Sequence, residues 1–425
     1  MLRCTHTGPS GELRVVWETP PSAAILQHPE LASFLSRMET VPGLRAGAEG
    51  LHVAFRVPYH ALVDAFAPTL PPGVAACHRH CAEVLAGRPD APRTEDGLEV
   101  NFHQHPFDTP DRAWLFTLRQ GRFAEYFFNR LAWHLAPTYH IVTPFPLHVD
   151  LESASTCNMN CPMCYRDMLP DAGQMDFDLF CRLIDECAAS DLYSVRLSWR
   201  GETLTHPRIT EMIAYAAARI PNVSFLTNAF YLDERICACL VENRVSYVAV
   251  SFDGIGQVYE TIRAPAKFQE SMDRLRMLRR LRQEAGSLLP QIRTCTIWPA
   301  VRHDPQAYQR AMGEVADYMV KNPYINFKGA MTLKEGFVCQ YPWERIVVGW
   351  NGVGQCCTGW NAGDIALGDA RAVSIAEMWR SPRQEEVRRM HLQGRRLEIP
   401  CCRDCRHGAA GDPDASIEDI VQRRW

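Results

Sequence analysis

An alternation of two sequence patterns between residues 149 and 335 constrains the fold of this chain more than any other feature. Short runs rich in apolar and β-branched residues alternate with longer segments of helical periodicity, which is typical of βα units on a parallel sheet. Six such units predict an α/β fold, a partial (β/α)6 TIM-like barrel. The predicted strands span 147–153, 193–199, 222–228, 245–252, 291–298 and 324–331, and the predicted helices include 177–190, 209–220, 234–244 and 271–286.

Further domains are predicted on both sides of this barrel. The segment before it mixes strand-like runs, such as 98–103, with helix-like ones, and a turn-rich stretch at 87–97 divides it. The segment after it contains Asn351-Gly352, a strong β-hairpin signal, and helical periodicity over 374–392. We therefore expect an N-terminal α/β accessory domain, the barrel and a small C-terminal domain, at 1–148, 149–335 and 336–425.

Charge and cysteine content narrow the class of protein. The chain has 45 Lys and Arg against 49 Asp and Glu, so its formal charge of -4 gives no bulk attraction for nucleic acid or anionic lipid. It shows neither a signal-peptide pattern nor eighteen consecutive apolar residues, and we expect a soluble, cytoplasmic protein without a membrane partner. Seventeen cysteines in such a chain indicate metal or redox chemistry rather than a disulfide scaffold.

Three cysteines stand close together directly after the first predicted strand. Cys157, Cys161 and Cys164 form a C-x3-C-x2-C run. Three thiolates on one loop can hold three irons of a [4Fe-4S] cluster and leave the fourth iron open to another ligand. Structural zinc is the alternative, but zinc prefers a fourth Cys or His, and none is placed with this loop. The run therefore favours an open iron-sulfur site.

This spacing, after the first strand of a partial barrel, resembles the radical S-adenosylmethionine (radical SAM) superfamily over residues 149–335. The resemblance implies that the amino and carboxylate groups of S-adenosylmethionine (SAM) chelate the open iron. It also implies reductive cleavage of SAM to a 5'-deoxyadenosyl radical, which abstracts a substrate hydrogen. The residue before the third cysteine is often aromatic in the family; here it is Met163, with Tyr165 on the other side, and both are candidate contacts of SAM.

The second predicted strand ends in a segment similar to the Gly-Gly-Glu-Pro motif of the family. Gly201 and Glu202 match the motif, whereas Arg200 and Thr203 replace its first Gly and its Pro. The resemblance implies that Glu202 accepts hydrogen bonds from the SAM ammonium and that Gly201 lets the backbone approach the ligand. A glutamate at a strand end is otherwise usually a solvated surface group.

Polar residues at the carboxyl ends of the next strands are further candidate contacts, because ligands bind at these ends in parallel α/β sheets. Asn228, Ser251 and Asp253 are candidates for the ribose and methionine portions of SAM. Turn formation is the alternative role for such residues. Arg263 resembles an arginine found at this point in related enzymes, which implies a pair with the methionine carboxylate.

A second set of cysteines follows the barrel. Cys339, Cys357, Cys402 and Cys405 are separated by 17, 44 and 2 residues, and Gly352 lies between the first two. This arrangement resembles the auxiliary-cluster domain of many radical SAM enzymes, in the short form called a twitch domain rather than the longer SPASM domain. The resemblance implies a second [4Fe-4S] cluster with four cysteine ligands. Zinc bound by the same thiolates is the alternative.

Three further cysteines are candidate hydrogen-atom donors. Cys356 and Cys401 adjoin two of the auxiliary ligands, and either could replace its neighbour as a ligand. Cys295 lies on a predicted barrel strand, whose alternate residues face the interior. Elsewhere, Cys77, His78, His80 and Cys81 could suggest a metal site, but a helical surface explains them more simply.

The auxiliary spacing resembles that of 2-deoxy-scyllo-inosamine dehydrogenase and related sugar and cyclitol enzymes of antibiotic biosynthesis. The resemblance implies dehydrogenation of a hydroxyl-bearing carbon in a small-molecule or glycoside substrate, with a reductant such as flavodoxin or ferredoxin. Epimerisation of such a carbon, with a cysteine as hydrogen donor, is one alternative. Modification of a peptide or protein, as in sulfatase maturation or the biosynthesis of modified peptides, is another.

Overall fold

The computed structural model describes residues 2–7, 11–87, 105–169, 171–326, 332–334, 336–359, 362–408 and 416–422. Within these residues the strands form two sheets, one of four strands and one of ten. The predicted strand at 98–103 and most of the turn-rich stretch at 87–97 lie outside the described residues.

The N-terminal region is a small antiparallel sheet packed against helices. Its strands, in the order β1-β2-β4-β3, are β1 Leu2–Thr7, β2 Glu12–Trp17, β3 Arg45–Ala46 and β4 Ala54–Pro58. Its helices are α1 Ala23–Leu26, α2 Pro29–Glu39, α3 Tyr59–Phe66, α4 Pro72–Ala86, α5 Pro110–Leu118 and α6 Phe123–Thr138. An apolar core of its own holds it together, with Phe34 and Phe127 at a ring-centroid distance of 4.7 Å.

The cysteines and histidines near residue 80 lie on α4, as the helical interpretation expects. The Nδ1 atom of His78 lies 2.6 Å from the hydroxyl of the buried Tyr59, and Nε2 of His80 lies 3.0 Å from the carbonyl oxygen of Val142. Both histidines therefore have hydrogen-bond partners within the protein, and His78 is buried rather than on the helix surface.

Six parallel strands form the barrel, and each is followed by at least one helix or helical turn, apart from the last. The strands are β6 His148–Leu151, β7 Ser194–Arg196, β8 Asn222–Thr227, β9 Tyr247–Ser251, β10 Gln291–Ile297 and β11 Tyr318–Asn322. The helices are α7 Phe177–Ala189, α8 Ile209–Ala217, α9 Glu234–Glu242, α10 Gly256–Ile262, α11 Phe268–Glu284 and α12 Pro305–Gly313. The predicted partial barrel is thus confirmed.

The C-terminal region extends the same sheet. It contains β12 Arg345–Val348, β13 Val353–Gln355, β14 Ala366–Asp369, α13 Ile375–Trp379, α14 Pro382–Leu392, α15 Pro400–Arg403 and α16 Ile417–Gln422. Strand β12 pairs in parallel with β6, and β13 turns back antiparallel through Gly352, whose φ of +84° suits glycine. At the other edge, β5 His105–Pro106 pairs with β11. The sheet therefore crosses both expected domain boundaries, which remain predictions.

Two predicted elements differ in position. The sixth barrel strand is Tyr318–Asn322 and not 324–331, because Pro323 lacks the amide hydrogen needed to continue the ladder; residues 327–331 lie outside the described part. The predicted helix at 374–392 is two helices. Pro382 starts the second one, with the Ser381 hydroxyl accepting a 3.2 Å hydrogen bond from the amide of Gln384.

Helix α5 closes the amino-terminal end of the barrel. The ring of Phe116 lies 5.4 Å from those of Tyr247 and Tyr318, at the first residues of β9 and β11. The opposite, carboxyl end of the barrel is therefore the end open to a ligand. No helix in the described part of the chain is long and apolar enough to cross a membrane.

Candidate functional site

The loop after β6 carries the first three cysteines at the carboxyl end of the barrel. Cys157 is half-buried, Cys161 is buried and Cys164 is exposed. The amide of Cys164 donates to the carbonyl oxygen of Cys161 at 3.0 Å, which turns the loop tightly. Beside them, the amide nitrogen Nδ2 of Asn158 is buried without a hydrogen-bond partner among the described residues. A buried donor of this kind suits a ligand held at the loop.

Three thiols on one loop suit a [4Fe-4S] cluster, in which each thiolate binds a different iron. Among the described residues, the structure shows no group of three His, Cys, Asp or Glu side chains arranged to hold a metal ion.

Glu202 lies at the end of the chain segment that follows β7, next to the cysteine loop. Its carboxylate accepts hydrogen bonds from the Thr227 hydroxyl at 2.6 Å, the Asn228 amide at 2.7 Å and the Leu204 amide at 3.2 Å. Burial raises the pKa of Glu202, while these three donors oppose the rise. Its charge also acts on Cys157. The side chain is thus fixed beside the cysteine loop, as a contact for a cation requires.

Gly201 serves a packing role in this structure. Its φ is +70°, and a Cβ atom at this position would lie 2.4 Å from the backbone carbon of Ser155. The structure therefore shows a close approach of the cysteine loop to Gly201, and the approach of a ligand to the same residue stays a prediction. Only glycine lets the two loops meet, because any side chain would collide with the Ser155 backbone.

Arg200 has a partner that the sequence analysis missed. Its Nε and Nη2 atoms lie 2.7 and 2.6 Å from the two carboxylate oxygens of Glu152, a bidentate pair. Glu152 is fully buried and also accepts from the amide of Trp350 at 3.1 Å. This pair accounts for an arginine in place of the first motif glycine. The signal was the run LHVDLES, in which every second residue is polar.

Arg263 and Asp253 form an ion pair at the opposite rim. Nε of Arg263 lies 2.7 Å from Oδ2 of Asp253, whose other oxygen accepts from the amide of Ile297 at 2.8 Å. Nη1 of Arg263 lies 3.6 Å from the sulfur of Cys161. The structure thus brings both predicted residues to the cysteine loop, but it pairs them with each other.

The remaining candidate contacts surround the same opening. Asn228 donates from Nδ2 to Oδ1 of Asn158 at 2.9 Å, and Ser251 is the last residue of β9. Met163 packs beside Tyr324 and the C-terminal helix α16. Tyr165 is half-buried and lies within electrostatic range of Arg200. Their contact with SAM remains a prediction.

Alternation along the strands defines the barrel interior. Val149, Val195 and Ile346 pack into the core against the surrounding helices, so the residues next to them in β6, β7 and β12 face inward. By the same rule, Cys295 of β10 faces inward; it is 6% exposed. The interior is largely polar. The inward-facing positions include His148, Asp150, Ser194, Arg196, Asn222, Ser224, Tyr247, Ala249, Arg293, Tyr318, Val320, Arg345 and Val347.

The six C-terminal cysteines line one largely apolar cavity. Cys339 interacts electrostatically with Cys405 and Cys357, and Cys402 interacts with Cys401, Cys357 and Cys339. Cys356 interacts with Cys357 and Cys402 in the same group. The choice of the four expected ligands over their two neighbours therefore stays a prediction. Further residues that line the cavity are Phe337, Tyr341, Pro342, Gly359, Ile365, Val387, His391, Arg396 and His407.

His391 is a polar neighbour of this site that the sequence analysis did not single out. Its Nδ1 atom accepts from the amide of Cys339 at 3.2 Å, so its Nε2 atom carries the hydrogen and points to the Cys402 sulfur at 3.7 Å. Burial lowers the pKa of His391 to about 4, which keeps the ring neutral. A hydrogen bond to a ligand sulfur is one way in which a protein tunes a cluster.

Trp199 links the mouth of the barrel to the auxiliary site. This residue follows β7 at the barrel mouth, and its indole Nε1 donates to the carbonyl oxygen of Thr358 at 3.0 Å. Thr358 directly follows Cys357. The guanidinium of Arg200 stacks 3.8 Å above the Trp199 ring. A continuous set of contacts therefore connects the mouth of the barrel to the auxiliary site.

Comparison with protein families assigns both regions. Residues 151–296 match the Radical SAM superfamily, and residues 339–406 match SPASM, an iron-sulfur cluster-binding domain. The first range contains the open cysteine loop and Glu202, and the second contains all four expected auxiliary ligands.

Individual relatives are distant. A tungsten-containing aldehyde ferredoxin oxidoreductase cofactor-modifying protein of Pyrococcus furiosus is 27% identical over 145 residues, 33% of this chain and 41% of that protein. The antilisterial bacteriocin subtilosin biosynthesis protein AlbA of Bacillus subtilis is 25% identical over 123 residues, 28% of this chain and 27% of that protein. This chain thus spans less than half the length of both. The solved structure of BtrN with AdoMet and 2-DOIA is 18% identical, has a TM-score of 0.44, and covers 64% of this chain and 96% of its own.

Proposed function

Because this chain carries a radical SAM domain followed by a SPASM domain, we propose that it dehydrogenates a hydroxyl-bearing carbon of a sugar or cyclitol in natural-product biosynthesis. The single observation that carries the proposal is the hydrogen bond from Trp199 at the barrel mouth to Thr358, which follows Cys357 in the cysteine-lined C-terminal cavity. Removal of two hydrogens leaves one electron to be accepted, and a fully ligated cluster next to the barrel supports this role.

The two domains imply SAM and [4Fe-4S] clusters as cofactors. When bound, SAM with the open cluster supplies a carbon radical that takes a hydrogen atom, and the auxiliary cluster supplies an acceptor for one electron. The residues fit these groups. Cys157, Cys161 and Cys164 would hold the open cluster, and Glu202 and the unpartnered amide of Asn158 would face SAM. The substrate loses its second hydrogen as a proton and an electron.

Epimerisation is the second candidate, and the position of Cys295 favours it. The other two candidate donors, Cys356 and Cys401, are packed in the C-terminal core, whereas Cys295 faces the barrel interior. It lies within electrostatic range of Asp253 and Arg263 at the rim. A thiol in this position could return a hydrogen atom to the face opposite the one from which the first was removed. Modification of a peptide is a further alternative, which only substrate testing separates from the first two.

The fate of one hydrogen distinguishes these reactions. The reconstituted protein would be incubated with SAM, a flavodoxin or ferredoxin reductant, and panels of polyols and peptides in deuterated water, and the products analysed by mass spectrometry. Dehydrogenation gives a ketone, consumes one SAM per product and persists in Cys295→Ala. Epimerisation instead gives an isomeric product that carries one deuterium from the solvent. This product should be lost in Cys295→Ala and kept in the matched core variant Cys187→Ala. Turnover of peptides alone would contradict both.

A further inference from the structure

The lower part of the barrel interior contains an unusual group of charges around Asp150. This aspartate is fully buried, and its Oδ1 lies 2.7 Å from Nε of Arg196 and 3.1 Å from Nε2 of His148. Its Oδ2 lies 3.2 Å from Nη1 of Arg345. Burial alone would raise the pKa of Asp150, but the two arginines and His148 hold it below its usual value. Asp150 is therefore a fixed negative charge that positions Arg196.

Arg196 is held at one side and open at the other. Among the described residues, both polar contacts of the Arg196 side chain are made by its Nε atom. This atom forms the ion pair with Asp150 and donates a 3.2 Å hydrogen bond to the carbonyl oxygen of Ser198. Nη1 and Nη2 have no partner in the described part of the chain. Although Arg196 is an inward-facing strand residue, its side chain is 31% exposed, and Leu226 of the neighbouring strand is 37% exposed. The two nitrogens thus face a space open to solvent.

Arg293 brings a second cation to the same interior. It faces inward from β10, three strands from β7, with its guanidinium 4.9 Å from the ring centroid of Tyr247. Its Nε is buried without a hydrogen-bond partner among the described residues, while the guanidinium also interacts with the thiol of Cys295. The side chain as a whole is partly exposed. Its electrostatic neighbours are Cys295, Tyr247 and Tyr318, and none of them is a carboxylate. An anion that enters the interior would therefore meet a cation without a carboxylate partner.

The charges that face the interior leave an excess of positive charge. Arg345 is shared between Asp150 and Glu344, which leaves the open edge of Arg196 and the whole of Arg293 without a carboxylate. Burial lowers the pKa of His148 to about 4, so this ring is neutral and does not add to the excess. At the rim, by contrast, Arg200 is paired with Glu152 and Arg263 with Asp253.

We propose that Arg196, with Arg293 opposite it, binds an anionic group of the substrate inside the barrel, below the SAM site. Arginine recognises phosphate and carboxylate groups through two parallel N–H donors, and the two free nitrogens of Arg196 provide such a pair. The substrate is thus an acidic or phosphorylated polyol, anchored at the bottom while a carbon nearer the rim reacts. This inference deepens the proposed function and rests on it.

The test uses small anions as probes of the holoenzyme, with both clusters and SAM present. Thermal unfolding is followed in inorganic phosphate, acetate and chloride at equal ionic strength, because an anion that binds only the folded state raises the midpoint. We expect phosphate or acetate to raise it above chloride, and Arg196→Gln to weaken this binding at least tenfold. A larger effect of phosphate indicates a phosphorylated substrate, and a larger effect of acetate a carboxylate.

Matched variants keep the test decisive. Arg208→Gln removes an exposed arginine paired with Glu211 and should keep the wild-type response. Arg293→Gln should weaken the stabilisation by phosphate or acetate and leave the cluster around Asp150 intact. This second variant keeps the proposal testable if Arg196→Gln does not fold. An equal response in wild type and both interior variants, or none beyond chloride, would overturn the proposal.

Two measurements separate this inference from neighbouring possibilities. Weaker SAM binding in Arg196→Gln, by the same factor as phosphate, would show that the anion is the carboxylate of SAM, and the proposal would be wrong. Reductive SAM cleavage without substrate tests the radical SAM assignment on its own. Cleavage by wild type without any anion response would leave that function intact and reject only the anionic substrate.

Discussion

The two cysteine sites of this protein use the same ligand chemistry in opposite ways. The barrel site takes three thiols from one short loop, with exposed Cys164 and polar neighbours such as Glu202 and Asn228. The C-terminal site brings six cysteines, four of them the expected ligands, from distant segments into a cavity that is also lined by side chains such as Phe337 and Val387. A missing ligand and a polar mouth leave room for SAM and substrate. A complete ligand set in a largely apolar cavity would let the C-terminal cluster accept an electron but bind no further ligand. We therefore propose that the barrel site carries out the reaction with SAM and that the C-terminal site accepts the electron.

The sharpest test removes the open site. The triple variant Cys157→Ala, Cys161→Ala, Cys164→Ala should retain about four of about eight irons and lose all SAM cleavage, because no open iron remains to bind SAM. Iron analysis and chromatography of 5'-deoxyadenosine measure these outcomes. Cys181→Ala, on helix α7 outside both sites, should behave as wild type. Residual cleavage by the triple variant would refute the proposed site.

Removing the closed site should separate radical formation from product formation. In Cys339→Ala combined with Cys405→Ala, we expect about four irons and reductive SAM cleavage to remain, while the ketone is lost because its electron has no acceptor. Zinc at this site, with only about four irons in the wild type, would show that the C-terminal region holds no second cluster. Loss of cleavage in a variant with unchanged circular dichroism would contradict the division of roles.

Glu202 tests whether polar groups distinguish the open site. Glu202→Gln keeps the size of the side chain but removes the charge, so SAM should bind about tenfold more weakly while both clusters stay loaded. Equilibrium titration with SAM measures the change. The exposed Glu211→Gln serves as the control. If Glu202→Gln binds SAM with unchanged affinity, the Glu202 carboxylate serves only as a hydrogen-bond acceptor for Thr227 and Asn228.

The smallest effect concerns Glu344, directly before the strand that joins the two regions. Burial raises the pKa of this carboxyl to about 7, whereas an unfolded glutamate has a pKa of about 4.3. The folded state therefore binds the extra proton, and the contribution of Glu344 to stability falls as pH rises from about 4.3 to 7. Relative to wild type, Glu344→Gln should gain stability across this interval and stay level above it.

Denaturant unfolding at several pH values measures this difference. Exposed Glu314→Gln should follow the wild type throughout. A constant difference between Glu344→Gln and wild type from pH 4.5 to 8 would contradict the assignment.

Much of the fold and of the cysteine chemistry was readable from local pattern. The βα alternation predicted six parallel strands, and the turn at Asn351-Gly352 predicted the hairpin before Cys357. The errors lay at element ends, where Pro323 and Pro382 decide the boundary by removing an amide donor. These errors did not move the candidate site, because the site lies at strand ends that the pattern located.

The sequence by itself determined the number and spacing of the thiols, since ligands on one loop are set by chain geometry alone. It did not determine which charges meet inside the barrel. Glu152 and Arg200 are 48 residues apart, and Asp150 and Arg345 are 195 residues apart. Only the sheet register brings them together, with β7 on one side of β6 for the first pair and β12 on the other side for the second. Each such side chain is compatible with a solvated surface until tertiary packing excludes water, and its partner is then chosen by position in space and not by distance along the chain.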